Sequence, residues 1–248
     1  VGRNLQDHIV VTTQYSTSTT VPYGISWRSW PWLAWQVARY PWSGKGLLAN
    51  MMLHAGGFVR SRPGLSRPDV QIILVPTAIS TNGRMGFGHG FGLMASLMRP
   101  KSRGRVTLSS ADPAAPPLID PNYLAESEDS DTLIRGIEIA RQLIEDPAFD
   151  EVRGNELLPG PNSDLEAFVR DRAHSAYHPV GTCRMGTDSD AVVGPDLRVH
   201  GVRSLRVVDA SVMPTLLGGN TGGPVIMIAE KAADLILEKP PLAPRALS

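Results

Sequence analysis

One amphipathic stretch is the longest regular pattern in this sequence, and it limits the folds open to the chain. Four apolar residues at the spacing of one helical face predict a helix over residues 129–144, namely Leu133, Ile137, Ala140 and Ile144. The other regular patterns are shorter. Strands are predicted at residues 9–15, 69–75, 93–98 and 105–108, and helices at residues 165–173 and 224–237. Short strands interleaved with a few helices are typical of an α+β fold, with the sheet-forming material here in the first half.

The composition indicates a folded chain with no electrostatic case for a nucleic acid partner. Hydrophobic residues make up 42% of the 248 residues and charged residues 19%, which is enough for a packed core. Lys and Arg total 24, and Asp and Glu also total 24. Because this balance is neutral and no charged tail stands out, the sequence predicts no nucleic acid binding.

Cysteine usage and the length of the apolar runs narrow the class of protein further. Cys183 is the only cysteine, which excludes an intramolecular disulfide and a cysteine-based zinc site and fits a reducing compartment. Apolar runs such as residues 225–229 are too short for a transmembrane segment, and no signal peptide is recognised, so we predict a cytoplasmic protein. The chain opens on Val1 and reads as the middle of a longer segment, so we expect a processed subunit or a partial sequence.

The aromatic residues are unevenly distributed. All five tryptophans fall between Trp27 and Trp42, where a short helix is predicted that ends before Pro41. Two interpretations are open, a core helix that packs its aromatic side chains and a hydrophobic lid over a substrate entrance. Five methionines belong either to an apolar substrate pocket or to the core: Met51, Met52, Met85, Met94 and Met98.

A glycine-rich stretch at residues 82–92 predicts a flexible loop. It is not a dinucleotide-binding loop, because the G-x-G-x-x-G spacing fails there and in the rest of the chain. The G-x-S-x-G nucleophile elbow is also missing from the sequence.

The first candidate site is residues 174–186, which bring two histidines, a thiol and a glycine turn into one segment. His178 is a candidate catalytic base because an imidazole titrates near working pH without perturbation; a structural loop histidine is the alternative. On a helix, His174 and His178 would share a face at the spacing of zinc ligands. Pro179 places His178 at or beyond a helix end, so no metal site is predicted.

The second candidate site is a turn that leads into the last helix. Residues 207–214 predict a strand that runs into a sharp turn, and glycine-rich residues 218–223 then lead to Pro224 in the first turn of the helix. Unpaired N–H groups at such a helix start attract an anion or an electron-rich carbonyl, and the glycines let a ligand approach the backbone. A plain helix cap by Asn220 or Thr221 is the alternative interpretation.

The third segment is the opening motif Asn4-Leu5-Gln6-Asp7-His8. By itself this motif carries little chemical information. We interpret Asp7 next to His8 as a polar anchor at a domain junction, in preference to a catalytic pair.

Taken together and in this order, these segments resemble the glucose–methanol–choline (GMC) oxidoreductase family. The resemblance covers nearly the whole chain, and each motif is weak alone but the set is specific. The motifs are residues 1–8 (VGRNLQDH), 97–104 (LMRPKSRG), 119–124 (IDPNYL), 178–186 (HPVGTCRMG), 208–214 (VDASVMP), 219–224 (GNTGGP) and 228–234 (IAEKAAD). A small departure lies at Gly46-Leu47, where many members carry Gly-Pro.

The resemblance implies FAD as the cofactor and a small-molecule alcohol as the substrate. The implied reaction oxidises the alcohol to an aldehyde or ketone by hydride transfer to flavin N5 with a histidine base. His178 matches the family's catalytic histidine, and Asn220 matches its second catalytic position. The positions that match the family's cofactor contacts are Tyr177, Asp209, Ala210, Asn220, Thr221, Gly222 and Pro224.

The resemblance also implies a domain organisation. We expect a junction from the FAD domain at residues 1–10, an antiparallel-sheet substrate domain at 11–175, a C-terminal catalytic and FAD-binding segment at 176–239 and a loose tail at 240–248. The N-terminal Rossmann-like half, whose G-x-G-x-x-G loop grips the ADP moiety, is not in this sequence. An N-terminal FAD-domain polypeptide, or the other half of a parent chain, is therefore the expected partner.

Two rival functions stay open. Hydroxynitrile lyases and photodecarboxylases share the architecture that the resemblance implies, with chemistry other than alcohol oxidation. A non-catalytic partner subunit or fragment would keep the fold and serve as an interaction module. The presence of both His178 and Asn220 favours an enzyme over such a module.

Overall fold

The structure is a computed structural model that describes residues 1–20, 24, 26–49, 53, 55–77 and 88–240. The chain divides into two compact units. The first unit comprises Val1–His8, Arg99–Ala125 and the chain from Ser175 onward, and the second comprises Ile9–Met98 and Glu126–His174. The strands are β1 (Arg3–Leu5), β2 (Ile9–Ser16), β3 (Ala55–Val59), β4 (Val70–Val75), β5 (Gly90–Leu97), β6 (Gly104–Thr107), β7 (Leu118–Asp120), β8 (Glu156–Leu158) and β9 (His174–Ser175). The helices are α1 (Trp30–Ala38), α2 (Tyr40–Ser43), α3 (Ser127–Ile144), α4 (Leu165–Arg172) and α5 (Gly222–Ile236).

The second unit is built on an antiparallel sheet with the strand order β3-β4-β5-β2-β8. Its centre is the pairing of β2 with β5, which runs from Ile9 opposite Leu97 to Ser16 opposite Gly90. Both strands are buried along most of their length: β2 supplies β-branched and aromatic side chains, and β5 supplies Phe91, Leu93 and Leu97. Together with α3 and α4, this sheet confirms the predicted α+β class.

Helix α3 packs on that sheet through the predicted apolar stripe. Its four stripe residues are at most 1% exposed: Leu133, Ile137, Ala140 and Ile144. A Cβ on Gly136 would lie 3.0 Å from the Cβ of Ala95 in β5, so the helix backbone approaches the sheet closely at this point. Burial of each large stripe residue contributes about 1.5–3 kcal/mol, which makes this face the main anchor of the helix.

The first unit has less regular structure. Its sheet has three short antiparallel strands in the order β1-β6-β7. A small apolar core joins loops that are distant in sequence and one side of α5, and its buried members are Val180, Val193, Leu197, Val212, Met213, Leu216, Ile228 and Ala232. The loops that carry the candidate site residues are therefore held by packing rather than by regular secondary structure.

The structure confirms most predicted elements and shifts their ends. The strands predicted at 9–15, 69–75, 93–98 and 105–108 correspond to β2, β4, β5 and β6. Strand β5 begins inside the predicted glycine loop, because its residues pair with β2 and β4 along the sheet. Some of the predicted features lie outside the described residues: residues 82–87 of that loop, residues 241–248 of the tail predicted at 240–248, and Met51, Met52 and Met85. Met98 is fully buried and belongs to the core.

Two predictions differ from the structure. Residues 207–214, predicted as a strand that runs into a sharp turn, contain the turn as a 3-10 turn at Ala210–Val212 but no described strand, because the Asp209 side chain accepts a 2.7 Å hydrogen bond from the Ser211 N–H and competes with strand pairing. The interpretation of the tryptophan helix as a core helix also fails, since no residue of the described helix α1 is buried. Every helix in the described part of the chain is too short or too polar to cross a membrane.

Candidate active site

The structure places the two predicted catalytic residues side by side within the first unit. His178 lies in the loop after β9, and Asn220 lies two residues before α5. The Asn220 Nδ2 atom is 3.4 Å from the His178 Nε2 atom, although the residues are 42 positions apart. Both loops are attached to the core of this unit, His178 through Val180 and Asn220 through α5.

The carboxylate of Asp7 holds the loop that carries His178. Its Oδ1 atom accepts a 2.9 Å hydrogen bond from the backbone N–H of His178. Its Oδ2 atom accepts hydrogen bonds from the Tyr123 hydroxyl at 2.6 Å and from the Ser175 hydroxyl. Asp7 is only 6% exposed, and a buried carboxylate is tolerated because donors surround it. Burial and the bond to Asp7 raise the pKa of Tyr123, so the phenol remains a donor to Asp7.

Two amides of the opening motif join this loop to the segment before α5. The Asn4 side chain donates to the carbonyl oxygens of Gly181 and Pro214, at 3.3 and 3.2 Å. The Gln6 side chain donates to Pro214 at 3.2 Å and accepts from the Leu216 N–H at 3.2 Å. A Cβ on Gly181 would lie 2.3 Å from the Asn4 carbonyl oxygen, and its φ is +97°, so only glycine permits this approach. The spacing between the two candidate loops is thus set by residues 4–6.

His8 connects His178 to the backbone before α5. The His8 ring is fully buried, its Nε2 atom lies 2.8 Å from the Leu217 carbonyl oxygen, and its Nδ1 atom lies 2.9 Å from the His178 Nδ1 atom. The two rings meet edge to face at an interplanar angle of 85°. A histidine with both nitrogens engaged and no exposure is positioned to control the orientation of its neighbour.

These contacts assign the protons on both rings. A carbonyl oxygen only accepts, so the His8 Nε2 atom carries a proton, and the buried neutral ring then accepts at Nδ1. The His178 Nδ1 atom must therefore donate to His8. This leaves the lone pair of neutral His178 on Nε2, where it faces the Asn220 amide, a donor. The geometry thus presents His178 Nε2 as a proton acceptor.

The electrostatic surroundings favour the neutral form of His178. Burial lowers the pKa of this imidazole below its ordinary value of 6.5, and the Asp7 carboxylate partly opposes that effect. A histidine with a lowered pKa remains a base over a wider pH range.

The residues predicted to bind FAD lie in two turns of the same unit. Asp209 caps the 3-10 turn at Ala210–Val212. Thr221 is the N-cap residue of α5 but makes no side-chain capping bond within the described structure, so its plain-cap interpretation is wrong. Pro224 is in the first turn of α5, where it lacks an N–H that would otherwise be unpaired. Tyr177 lies beside His178 with φ +64° and 83% of its surface exposed.

The start of α5 has room for a planar ligand against its backbone. A Cβ on Gly222 or on Gly223 would meet no described atom within 4 Å. The N–H groups of this first turn lack partners within the helix, and the helix dipole adds partial positive charge there. The open glycine backbone next to Asn220 therefore fits an electron-rich ring such as a flavin.

Sequence reasoning proposes His178 and Asn220 as site residues but undervalues the opening motif. It assigns Asp7 and His8 to a junction anchor, whereas they contact the His178 loop and the His178 ring directly. Their adjacency to each other says nothing about a partner 170 residues away. The usable signal was their place in the family motif of residues 1–8.

The family match and the curated relatives of this chain agree with each other. A family model described as GMC oxidoreductase matches residues 100–229, more than half of the chain. An alcohol dehydrogenase (acceptor) from Pseudomonas putida is 43% identical over 248 residues, and oxygen-dependent choline dehydrogenase 1 from Chromohalobacter salexigens is 42% identical over 253 residues. Each match covers 98% of this chain and 45% of the relative, so the chain spans about half the length of these curated relatives.

Solved structures agree with the sequence matches. Pyridoxine 4-oxidase from Mesorbium loti superposes with a TM-score of 0.77 at 29% identity, covering 96% of this chain and 44% of that protein. A formate oxidase variant from Aspergillus oryzae, solved to examine FAD modification, superposes with a TM-score of 0.83 at 27% identity, covering 96% and 47%. The family model, the curated relatives and these folds lead to one conclusion: the chain belongs to the GMC oxidoreductase family and corresponds to its C-terminal region.

Proposed function

We propose that this chain is the catalytic C-terminal region of an FAD-dependent alcohol oxidoreductase in which His178 is the base. The observation that carries the proposal is the hydrogen-bond chain from the Leu217 carbonyl through His8 to His178. This chain leaves the His178 Nε2 lone pair beside the Asn220 amide, which is the arrangement that deprotonation of a hydroxyl requires.

In this proposal, His178 and Asn220 have different roles toward the alcohol. A substrate hydroxyl placed between them donates its proton to His178 Nε2 and accepts a hydrogen bond from Asn220 Nδ2. As the O–H bond breaks, alkoxide character develops on the oxygen, and the Asn220 donor stabilises that charge. The fixed separation of the two side chains also orients the carbinol C–H bond. The products of the full reaction are an aldehyde or ketone, a proton on His178 and a hydride on the oxidant.

The oxidant in this proposal is FAD. The chemistry that FAD supplies when bound is acceptance of the hydride from the carbinol carbon at N5. Asp209 and Ala210 would hold its diphosphate and ribityl portion, with Tyr177, Asn220, Thr221, Gly222 and Pro224 around the ring. The partial positive charge at the start of α5 favours negative charge on whatever lies against it. The open backbone at Gly222 and the FAD named for the formate oxidase relative support this assignment.

The remaining part of the cofactor site would come from an N-terminal FAD-binding half, in a separate polypeptide or a parent chain. The chain spans about 45% of its curated relatives and has no G-x-G-x-x-G loop in its sequence. The helix α5 and its C-cap residue are suited to contact such a half, since Ile226 and Met227 in the helix and Leu237 at the cap are each at least 60% exposed. Apolar side chains in this position need a cover from outside this chain.

Anaerobic absorbance spectra test the proposal. The chain is purified alone and together with the N-terminal FAD-binding half, and an aliphatic alcohol or choline is then added without oxygen. We expect flavin bands with the N-terminal half and bleaching of those bands by an alcohol. A complex that binds flavin but is not bleached by any alcohol of the panel, and instead cleaves a cyanohydrin or decarboxylates a fatty acid in light, would overturn the redox assignment. A complex without flavin bands would overturn the cofactor assignment and favour a non-catalytic module.

A further inference from the structure

The five tryptophans of the chain form an exposed surface that the proposed function does not use. They lie in the tryptophan segment, defined here as residues 26–49, which contains α1, α2 and a 3-10 turn at Leu47–Ala49. The exposed fractions are 88% for Trp27, 56% for Trp30, 45% for Trp32, 62% for Trp35 and 85% for Trp42. Tyr40 and Leu48 add 41% and 57%. An apolar helix of this kind is normally covered, so this exposed surface is a candidate interaction site.

The segment is held in a defined shape, which argues against a loose apolar loop. The Ser29 hydroxyl donates to the Gly24 carbonyl oxygen at 2.6 Å, and the Ser26 hydroxyl lies 2.7 Å from the His89 Nε2 atom. Near the other end of the segment, Gly46 packs closely against α1. A Cβ at this position would lie 2.3 Å from the Gln36 carbonyl oxygen, and the φ of Gly46 is +119°. These contacts define the local shape of the segment and tie its start to His89.

The charge pattern around the tryptophans is one-sided. Residues 8–68 contain six Lys or Arg residues and no Asp or Glu, although the whole chain has a net charge of zero. Three of the cations are in the tryptophan segment, where Arg28 and Lys45 are exposed and Arg39 is half-buried. A partner that binds this surface must contribute apolar groups that contact the indole rings and negative charge that pairs with the cations.

We propose that the tryptophan segment docks on an anionic phospholipid surface. Indole rings favour the boundary between headgroups and acyl chains, and the cations next to them are attracted by anionic headgroups. The nine residues of α1 span about 14 Å, which is less than half the thickness of a bilayer core, so the helix lies in the interface and does not cross it. A second copy of the chain satisfies the apolar requirement but repels the segment's cations with the same cations of its own.

The chain contains its own reporter for this docking. All tryptophan emission comes from the segment, because no other tryptophan exists in the sequence. The 248-residue chain is mixed with vesicles of phosphatidylcholine alone and with vesicles that also contain phosphatidylglycerol. We expect a blue shift of the emission, quenching by lipids brominated on the acyl chains and co-sedimentation with the anionic vesicles. Each of these signals should weaken as salt is added.

Matched variants separate the two parts of the surface. Arg28→Ser and Lys45→Ser should each weaken binding to anionic vesicles about fivefold, while Trp35→Ser with Trp42→Ser should abolish co-sedimentation. Leu108→Ser and Lys231→Ser are the controls, since both residues are exposed outside the segment, and these variants should bind as the parent chain does. The exposed positions of all six substitutions leave the core packing unchanged.

Three results would overturn the proposal. The first is equal binding to both kinds of vesicle. The second is a blue shift that requires a second copy of the chain and persists at the same protein concentration without lipid. The third is a blue shift caused by the N-terminal FAD-binding half together with loss of vesicle binding, which would make the segment a protein interface. None of these measurements depends on flavin content or turnover, so failure here leaves the proposed function intact.

Discussion

Residues 4–8 and the tryptophan segment are both short stretches of distinctive composition, but they differ in polarity and in exposure. The polar side chains of residues 4–8 reach backbone and side-chain partners up to 210 positions away within the first unit. The indole rings of the tryptophan segment are instead 45–88% exposed among the described residues of the second unit. Buried polar groups need partners that one chain can supply, whereas exposed apolar surface is typical of an interaction site. The polar stretch therefore assembles the candidate active site, and the apolar stretch is the surface that we propose docks on lipid.

The largest expected effect is on the rate at the His178 site. His178→Ala removes the proposed base, and general base catalysis contributes about 10²- to 10⁴-fold, so kcat of the holoenzyme should fall by that factor. The measurement is steady-state turnover of an alcohol with flavin content determined on the same sample. Unchanged flavin content with lost turnover supports a base. Parallel loss of both would assign His178 a cofactor-binding role instead.

The next effect tests a buried contact that has no part in either stretch. Ile137→Ala removes a fully buried side chain from the α3 stripe and should lower the free energy of unfolding by about 2–5 kcal/mol. Urea unfolding followed by circular dichroism measures this change. This value is the reference for the smaller effect expected at the exposed tryptophans. A decrease in the free energy of unfolding below about 1 kcal/mol would mean that the sheet residues move to fill the cavity left by the Ile137 side chain.

His8 is a positioning residue, and two substitutions separate its acceptor from its bulk. His8→Leu removes the acceptor for His178 Nδ1–H, so kcat should fall about tenfold to hundredfold, the rate equivalent of one hydrogen bond to a charged group. His8→Asn can place its Oδ1 atom near the lost Nδ1 acceptor and should recover part of that rate. Equal activity of the two variants would show that His8 acts by packing alone.

Asp7 affects both stability and the pH profile. Burial keeps the pKa of His178 below 6.5, so activity should rise with pH through a midpoint below that value. The Asp7 carboxylate raises this pKa, so Asp7→Asn should move the acid limb of kcat/KM to lower pH and cost about 1–3 kcal/mol of stability. Tyr123→Phe removes one donor to the same carboxylate but leaves its charge, so the limb should stay in place. A shift of equal size in both variants would contradict the electrostatic explanation.

The smallest expected effect is on the stability of the tryptophan segment. Trp35→Ala should change the free energy of unfolding by less than about 0.5 kcal/mol, because the side chain is 62% exposed and its helix buries no residue. The same urea experiment as for Ile137→Ala measures this change. A loss of 2 kcal/mol or more would mean that the ring is covered in solution, which would remove the contrast between the two regions.

The elements with a strong hydrophobic period and the family could both be predicted from the order of residues along the chain. The stripe from Leu133 to Ile144 predicted α3 because helical periodicity is a local property, and the motif around His178 was recognised because family signals are read along the chain. In residues 207–214 the predicted sharp turn formed but the strand before it did not, because one side-chain hydrogen bond, from the Ser211 N–H to Asp209, outweighed local strand propensity. The core-helix interpretation of the tryptophan helix failed for a different reason. An apolar pattern indicates burial but does not say whether the covering surface belongs to the same chain.

The assembly of the candidate site could not be predicted from local sequence and depends on how the chain folds. Asp7, His8, His178 and Asn220 come together through contacts that span up to 171 positions, and no local pattern encodes such distances. The proton on each histidine nitrogen follows from a carbonyl oxygen that can only accept, the one at Leu217. Residue types were therefore available from the sequence, whereas their directions and burial, which set the chemistry, came from packing.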